Sequence, residues 1–276
     1  MNKLLIFAVI YKAKAQDCIA FSSLMQHRDH ITVPHKIVVY NNSPEIEQTD
    51  DRCSFVNGKG NDMLAKAYNA GIAIAKAEGC EWILLMDQDT PFGKDYFEKA
   101  CHFIENAGDC DMAVPTILAG GKVASPTYYH PTIGPYLITT PLTKIGKSEK
   151  YVTAFNSGAV LRVSAIEELG GFNEEYPLDA LDNWYFHNLR KNGHFTYVMD
   201  CQLTQNLSLN NPSEISITRY KSIMNSALRF AKSIGWVAVL GWKIRAVPRC
   251  IIQLITPSKR KLFPLTFKYL FVNEIK

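Results

Sequence analysis

Over the first 115 residues, short apolar runs alternate with longer segments of helical composition. Leu4–Ile10 is seven apolar residues in succession, and shorter runs follow at His35–Tyr40 (HKIVVY), Ser54–Val56, Trp82–Met86 (WILLM) and Met112–Pro115. Continuous apolar runs of this length predict strands covered on both faces. Between them, Asp17–Gln26, Met63–Glu78 and Lys94–Asn106 read as helices, the second Ala-rich and stopped by Gly79. Turn signals separate the elements at Asn41-Asn42-Ser43-Pro44 and Asn57-Gly58-Lys59-Gly60-Asn61. This β-α-β-α grammar predicts an α/β fold with a parallel, doubly wound sheet.

The pattern weakens from about 116 to 155, a stretch rich in Gly, Pro and Thr that reads as strands and loops. It resumes with a strand through Phe155–Arg162, a helix at Ser164–Leu169 ended by Gly170-Gly171, and a helix at Asp179–Lys191 closed by Asn192-Gly193. After about Asn211 the chain reads as helical and basic, broken at Pro248, Pro257 and Pro264. The opening MNKLLIFAVIYKAKAQ has no A-x-A-like cleavage site and reads as a buried strand rather than a secretory leader. No stretch reaches the roughly 18 apolar residues of a membrane span. The longest candidate, Ile234 to Ile255, is interrupted by Lys243, Arg245, Pro248 and Arg249.

Composition is globular: 276 residues, 47% hydrophobic and 20% charged. The seven cysteines are scattered singly, an odd set that predicts reduced thiols and a cytoplasmic setting, and no H-x-x-x-H pair supports a zinc-hydrolase helix. Charge changes the picture more. Residues 216–276 hold 12 bases and one acid, Glu274, while the rest of the chain holds 18 bases and 25 acids. A body near −7 carries a tail near +11, which suggests contact with an anionic surface.

Three constellations carry candidate chemistry. Asp87-Gln88-Asp89 directly follows WILLM, where ligands of open α/β sheets bind. In extended chain the two carboxylates point the same way and repel unless a hard divalent ion, Mg²⁺ or Mn²⁺, sits beside them. The spacing alone also fits an ordinary polar strand end. Asp179 and Asp182 would share one face of a helix N-terminus, either as N-cap and first-turn acid or as a general base with its neighbour. Phe155-Asn156-Ser157-Gly158 is either a plain turn or a point where backbone approaches a ligand.

Taken together, these segments resemble the inverting glycosyltransferases of family 2, and within them the rhamnosyltransferase-like enzymes of bacterial surface-polysaccharide assembly. AVIYK resembles the opening nucleotide-binding strand. The stretch from Asn61 to Ile72 is similar to an N-x-G-I-A-x-A-x-N-x-G-I helix, and ILLMDQDT to an L-D-Q-D-S segment. FNSGAVLRVSAIEELGGFNEEYPLDALDNWYFHNLRKNGH resembles the acceptor-side block, so the likeness spans residues 3 to about 208. It implies a GT-A fold: a Rossmann-like nucleotide-binding mixed sheet flanked by helices, with C-terminal basic helices. The implied domain is 1–215, nucleotide-sugar half 1–115 and acceptor half 116–215, followed by the tail at 216–276.

The resemblance also implies roles. Tyr11 and Asn41 would line the base pocket of a nucleoside-diphosphate sugar, a UDP- or dTDP-sugar, and Asn61, Gln88, Ser157, Gly158 and Trp184 would complete the donor site. Asp87 and Asp89 would hold the metal, with Asp87 also facing the ribose. Asp182 would be the general base and Asp179 its neighbour. Four departures stand out. Asn41 replaces the family's Asp, Met63 a helix-motif glycine, and Asn183 part of a polar-acidic run. Gln205 stands where a metal-binding His is common, and a neutral amide implies a loosely held ion.

The tail interleaves Trp236, Trp242, Phe263, Phe267 and Phe271 with its bases, which suits an anionic membrane interface better than nucleic acid. Packing of the tail on the acidic body is the alternative. The acceptor implied is a lipid-linked glycan at the inner face of the bacterial inner membrane. Two other functions fit less well. A nucleotidyltransferase needs a G-x-G-T-R-like loop that AVIYKAKAQ lacks, and a non-catalytic sugar-nucleotide-binding subunit would rest on the Asn41 and Gln205 departures.

Overall fold

The computed structural model describes residues 2–205 and 215–272. Asn211 and Glu274, both noted in the sequence, lie outside the described residues. The strands are β1 (Leu4–Ile10), β2 (His35–Asn41), β3 (Ser54–Asn57), β4 (Trp82–Asp87), β5 (Cys110–Ala119) and β6 (Lys122–Ser125). They continue with β7 (Thr127–Tyr129), β8 (Thr140–Pro141), β9 (Gly146–Ser148), β10 (Tyr151–Thr153), β11 (Val160–Arg162) and β12 (Phe195–Thr204). The helices are α1 (Ile19–His27), α2 (Met63–Ala77), α3 (Lys94–Glu105), α4 (Val163–Glu168), α5 (Leu181–Lys191), α6 (Ile217–Ile234), α7 (Trp236–Ile255) and α8 (Phe263–Phe271).

The main sheet runs β3-β2-β1-β4-β11-β5-β12-β9, with β6 on β5. The strands β1 to β4 are parallel, so that Ile6 lies opposite both Ile37 and Leu84. All seven residues of β1 are buried because both faces are covered. Ile6 and Ala8 join the cluster of Phe21, Leu24, Phe97 and Ala100 from α1 and α3. Phe7 faces the other way, toward α2. A Cβ on Gly71 would stand 3.1 Å from Phe7 and from Ile83, so the missing side chain lets α2 lie close to the sheet.

The sheet is mixed, which corrects the parallel expectation drawn from the β-α-β grammar. The strand β11 runs antiparallel to both neighbours, β4 and β5, because Phe155–Gly158 is a turn that sends the chain back along β4. Only Val160–Arg162 of the expected strand pairs. The ten-residue β12, parallel to β5, has no counterpart in the sequence reading. Its alternation of buried Val198, Cys201 and Leu203 with exposed Asp200, Gln202 and Thr204 suits a strand covered on one face only. None of the seven cysteines is bonded to another.

The chain forms two compact units: Met1–Thr127 with Pro141–Asn206, and Tyr128–Thr140 with Leu207–Lys276. The second unit has its own core, built by Tyr220, Met224, Leu228, Trp242, Ala246 and Tyr269 of the three C-terminal helices. A Cβ on Gly241 would stand 3.2 Å from Leu137, so α7 packs closely on the 128–140 excursion. Pro248 lies inside α7 rather than breaking it. The carbonyl it leaves without a partner belongs to Ile244, on the exposed side of the helix, where water can satisfy it.

Candidate functional site

The site grows from the carboxyl end of β4. Leu85 donates its backbone N–H to Ala159 O at 3.0 Å and accepts from Gly158 N at 2.8 Å, which lays the Ser157-Gly158 turn against the strand. Asp87 N donates to Ser157 Oγ at 3.4 Å. Gly158 has φ +79°, and a Cβ there would meet Pro115 at 3.0 Å and Leu203 at 3.2 Å. The glycine is thus required by packing among apolar side chains; Ser157 is buried beneath Asp87.

Asp87 is a partly buried residue whose carboxyl group is enclosed. Tyr68 Oη donates to its Oδ1 at 3.3 Å. Burial, reinforced by the charges of Asp89 and Asp182, pushes the Asp87 carboxyl up to about 7, against the opposing hydrogen bond from Tyr68. Asp89 is exposed two residues on, and Gln205 Nε2 donates to its Oδ1 at 3.3 Å. Gln205 itself is buried, and its Oε1 has no hydrogen-bond partner.

The helix α5 brings the second pair of carboxylates. It begins at Leu181 after Ala180 in a left-handed conformation, φ +61°, so Asp179 precedes the helix and is not its N-cap. The Asp182 carboxyl, also enclosed, is raised to about 6 by burial and by the charge of Asp179, while the Asn183 N–H opposes the shift. That N–H donates to Asp182 Oδ1 at 2.7 Å, and Asn183 Nδ2 donates to the same oxygen at 3.2 Å. Asn183 Oδ1 accepts from Thr153 Oγ1 at 2.8 Å. An ionised acid at 183 would keep the backbone N–H but lack the Nδ2 donor, so this departure from the family pattern adds a second hydrogen bond to the carboxylate. The half-buried Trp184 ring stacks on Tyr176, 6.3 Å away and inclined 27°.

Contacts that the sequence reading missed join these pieces. Leu64 N and Ala65 N donate to Pro177 O at 2.8 and 3.1 Å, so the segment before α5 caps the start of α2. Met63, at φ +61°, occupies the left-handed position that explains the glycine of the family motif. Tyr68 and Tyr185 lie buried under the carboxylates, both hydroxyls held far above their ordinary range by burial and by the charges of Asp87 and Asp182. Tyr185 Oη has no hydrogen-bond partner. Single tyrosines and a single glutamine carry no spacing signal, and only the fold reveals them.

The other edge of the site differs from expectation. Tyr11 is 39% exposed at the end of β1. Its N–H donates to Gln88 Oε1 at 2.7 Å, so Gln88 ties two strand ends together. Asn41 is fully buried. Its Nδ2 donates to Ile46 O and Asn57 Oδ1, both at 2.9 Å, and its Oδ1 accepts from Ser43 N at 3.0 Å. With both polar ends bonded to protein, Asn41 shapes the loop expected to line a base pocket. Asn61 is exposed and accepts from Met63 N at 3.2 Å.

Among the described residues, no three His, Cys, Asp or Glu side chains gather into a metal cage. The donor set nonetheless fits a hard cation held partly by substrate. Asp87 and Asp89 are neighbouring oxygen donors, the charge of Asp89 helping to raise the Asp87 carboxyl, and the unpartnered Gln205 Oε1 lies on a side chain that touches Asp89. Mg²⁺ and Mn²⁺ commonly take one or two carboxylates and complete their shell with phosphate and water.

The raised Asp87 carboxyl makes stability depend on pH. A folded-state value near 7, above the unfolded 3.8, gives a contribution present in full below about pH 4 and lost as pH rises through 7. In metal-free buffer, Asp87→Asn should raise the melting temperature at pH 8 by about 2–6 °C, and the gain should vanish near pH 4. Differential scanning fluorimetry across this range checks it; a gain independent of pH contradicts it.

Comparison with known proteins follows the same lines. The sequence model "Glycosyl transferase family 2" matches residues 38–170. That segment takes in Asp87, Asp89 and Ser157 and stops short of Asp179 and Asp182. The dTDP-rhamnosyl transferase RfbF of Shigella flexneri is 22% identical over 246 residues, covering 82% of this chain and 75% of the relative. The crystal structure of S. aureus TarS 1-349 superposes with a TM-score of 0.54 at 14% identity, covering 95% of this chain and 74% of that one. The same protein in complex with UDP-GlcNAc gives 0.56 at 13% identity, covering 97% and 80%. These structures share the GT-A fold with this chain.

Proposed function

We propose, for a chain that carries a family 2 glycosyltransferase segment on a GT-A sheet, an inverting, divalent-metal-dependent transfer of a hexose such as rhamnose. The donor is a UDP- or dTDP-sugar and the acceptor a glycan hydroxyl. The observation that carries this reading is the meeting of Asp182, its carboxyl near 6, with the Asp87-Gln88-Asp89 strand end. A carboxylate of that basicity is ionised at neutral pH yet can still accept a proton from an attacking hydroxyl.

Asp182 takes the acceptor hydroxyl proton as the acceptor oxygen bonds to the anomeric carbon and the bond from that carbon to the diphosphate oxygen breaks. Attack opposite the leaving group inverts the anomeric centre. Asp179 keeps the local potential negative, which favours proton uptake by Asp182. Asn183 fixes the direction of the carboxylate. Asp87 and Asp89 would hold Mg²⁺ or Mn²⁺, with Gln205 Oε1 beside them. When bound, the ion supplies positive charge for the departing diphosphate.

The relative named as a dTDP-rhamnosyl transferase and the TarS structure with UDP-GlcNAc support a nucleotide-sugar donor of this class. The basic tail supports a lipid-linked acceptor at the inner face of the bacterial inner membrane, within lipopolysaccharide, O-antigen or capsule assembly. Among the described residues, no helix is long and apolar enough to cross a membrane. A thermal-shift panel of UDP- and dTDP-sugars with and without Mn²⁺ tests the reading. One donor should stabilise the protein strongly and only with metal; a panel without a stabilising donor contradicts it.

A further inference from the structure

Residues 215–272 contain eleven Lys and Arg and no Asp or Glu, and the 128–140 excursion that packs with them has no charged residue apart from its histidine. The helix α7 buries Ala238, Trp242 and Ala246 in the core of this unit. Its opposite face is apolar too. Trp236, Leu240, Ile244, Val247, Ile251 and Ile255 recur at intervals of three or four and stand exposed, Trp236 at 78% and Ile255 at 70%. Phe267 and Phe271 of α8 are exposed as well, the latter at 72%. A surface helix ordinarily has one apolar stripe, facing its core. A second stripe about 30 Å long, the length of the helix, calls for a partner.

The charges identify that partner. Pairing with a second copy would set eleven bases against eleven with no acid to answer them. The cavity beside α7 asks for an anion as well. It measures about 450 Å³ and is lined by Arg245, Arg249 and Lys259 together with Ile223, Pro248 and Ile252. Arg245 Nη1 donates to Tyr136 O at 3.1 Å and Arg249 Nη1 to Met224 Sδ at 3.1 Å, leaving the remaining guanidinium N–H groups for another acceptor. Buried Gln253 also lines the cavity, with its Oε1 lacking a hydrogen-bond partner.

We propose that α7 lies in the interface of an anionic bilayer, its outer stripe and the two phenylalanines among the acyl chains, with a phospholipid phosphate held by Arg245, Arg249 and Lys259. Interfacial helices combine these features: an apolar face, a basic rim and too many charges to span. Each base near the surface adds to the attraction. For its biological purpose the proposal rests on the lipid-linked acceptor; its test does not involve a donor.

Full-length protein is sedimented with phosphatidylcholine vesicles, with and without phosphatidylglycerol. Binding should require phosphatidylglycerol and weaken with salt. Trp236 is the most exposed of the four tryptophans, so its emission should shift to the blue on binding and be quenched by brominated acyl chains; Trp236→Phe should lose that signal. Leu240→Ser with Ile251→Ser, at exposed positions that leave the melting temperature unchanged, should weaken binding at least about tenfold. Arg245→Gln with Arg249→Gln should remove most of the preference for phosphatidylglycerol. Equal binding to both vesicles, an unmoved Trp236 emission, or a dimer abolished by the serine substitutions overturns the proposal. Donor turnover is measured separately, so loss of either result leaves the other standing.

Discussion

Asp182→Asn lowers the rate of glycosyl transfer by about 10²-fold or more while donor affinity stays within about twofold, because the substitution removes a proton acceptor and little else. The amide oxygen of Asn can still accept the Asn183 N–H that Asp182 Oδ1 accepts at 2.7 Å, so the start of α5 keeps its geometry. Stability at pH 8 should not fall, since an enclosed carboxylate raised to about 6 is replaced by a neutral group. The wild-type rate should show an acid limb near pH 6, with activity lost as pH falls below it and Asp182 takes up its proton. Initial rates over pH 5–8, beside donor titrations of both proteins, check this. An Asp182→Asn enzyme with wild-type kcat would leave Asp182 as a first-turn acid and move the role of base to Asp179.

Asp89→Ala is expected to be the second large effect: loss of the metal-dependent part of donor binding and about 10²-fold or more in turnover. Asp89 is exposed and accepts two long hydrogen bonds, from Gln205 Nε2 at 3.3 Å and Thr90 Oγ1 at 3.5 Å, so the fold should persist with a nearly unchanged melting temperature. Removing its charge also lowers the Asp87 carboxyl, which Asp89 pushes up. Calorimetric titration of the nucleoside diphosphate with and without Mn²⁺ measures the change. Binding that keeps its full metal dependence in Asp89→Ala would remove the carboxylate pair from the metal site.

Much of this architecture can be read along the chain, and the exceptions have physical causes. WILLM followed by Asp87-Gln88-Asp89 is legible because a strand buried on both faces must be continuously apolar and must end where water begins. The direction of β11 is not legible, since a strand of three residues, Val160–Arg162, reads alike in either orientation. The strand β12 was hidden because its alternation is interrupted: Val198 and Met199 are both buried, where the pairing with β5 shifts register. The protein contacts of Asn41 and Gly158 were not legible because position in a motif does not say which groups of the chain a residue meets. Asn41 bonds to Ser43 and Ile46 of its own loop and to Asn57 of β3, and Gly158 is hemmed in by Pro115 and Leu203. Tyr185 and Gln205 each hold one buried polar atom without a partner, a property visible only when the surrounding chain is folded around it. The charge of the tail is plain in its composition. That α7 is apolar on two opposite faces emerges only when Ala238, Trp242 and Ala246 are seen buried and Leu240, Ile244 and Ile251 exposed.

The most direct measurement is the release of nucleoside diphosphate from a panel of UDP- and dTDP-sugars, with a lipid-linked glycan extract as acceptor. It compares the wild type, Asp89→Ala and Asp182→Asn, with and without Mn²⁺. Turnover of one donor by the wild type, dependent on both metal and acceptor and reduced about 10²-fold or more in each variant, is the result predicted here. Turnover that is unaffected by chelation and persists in Asp182→Asn would contradict it.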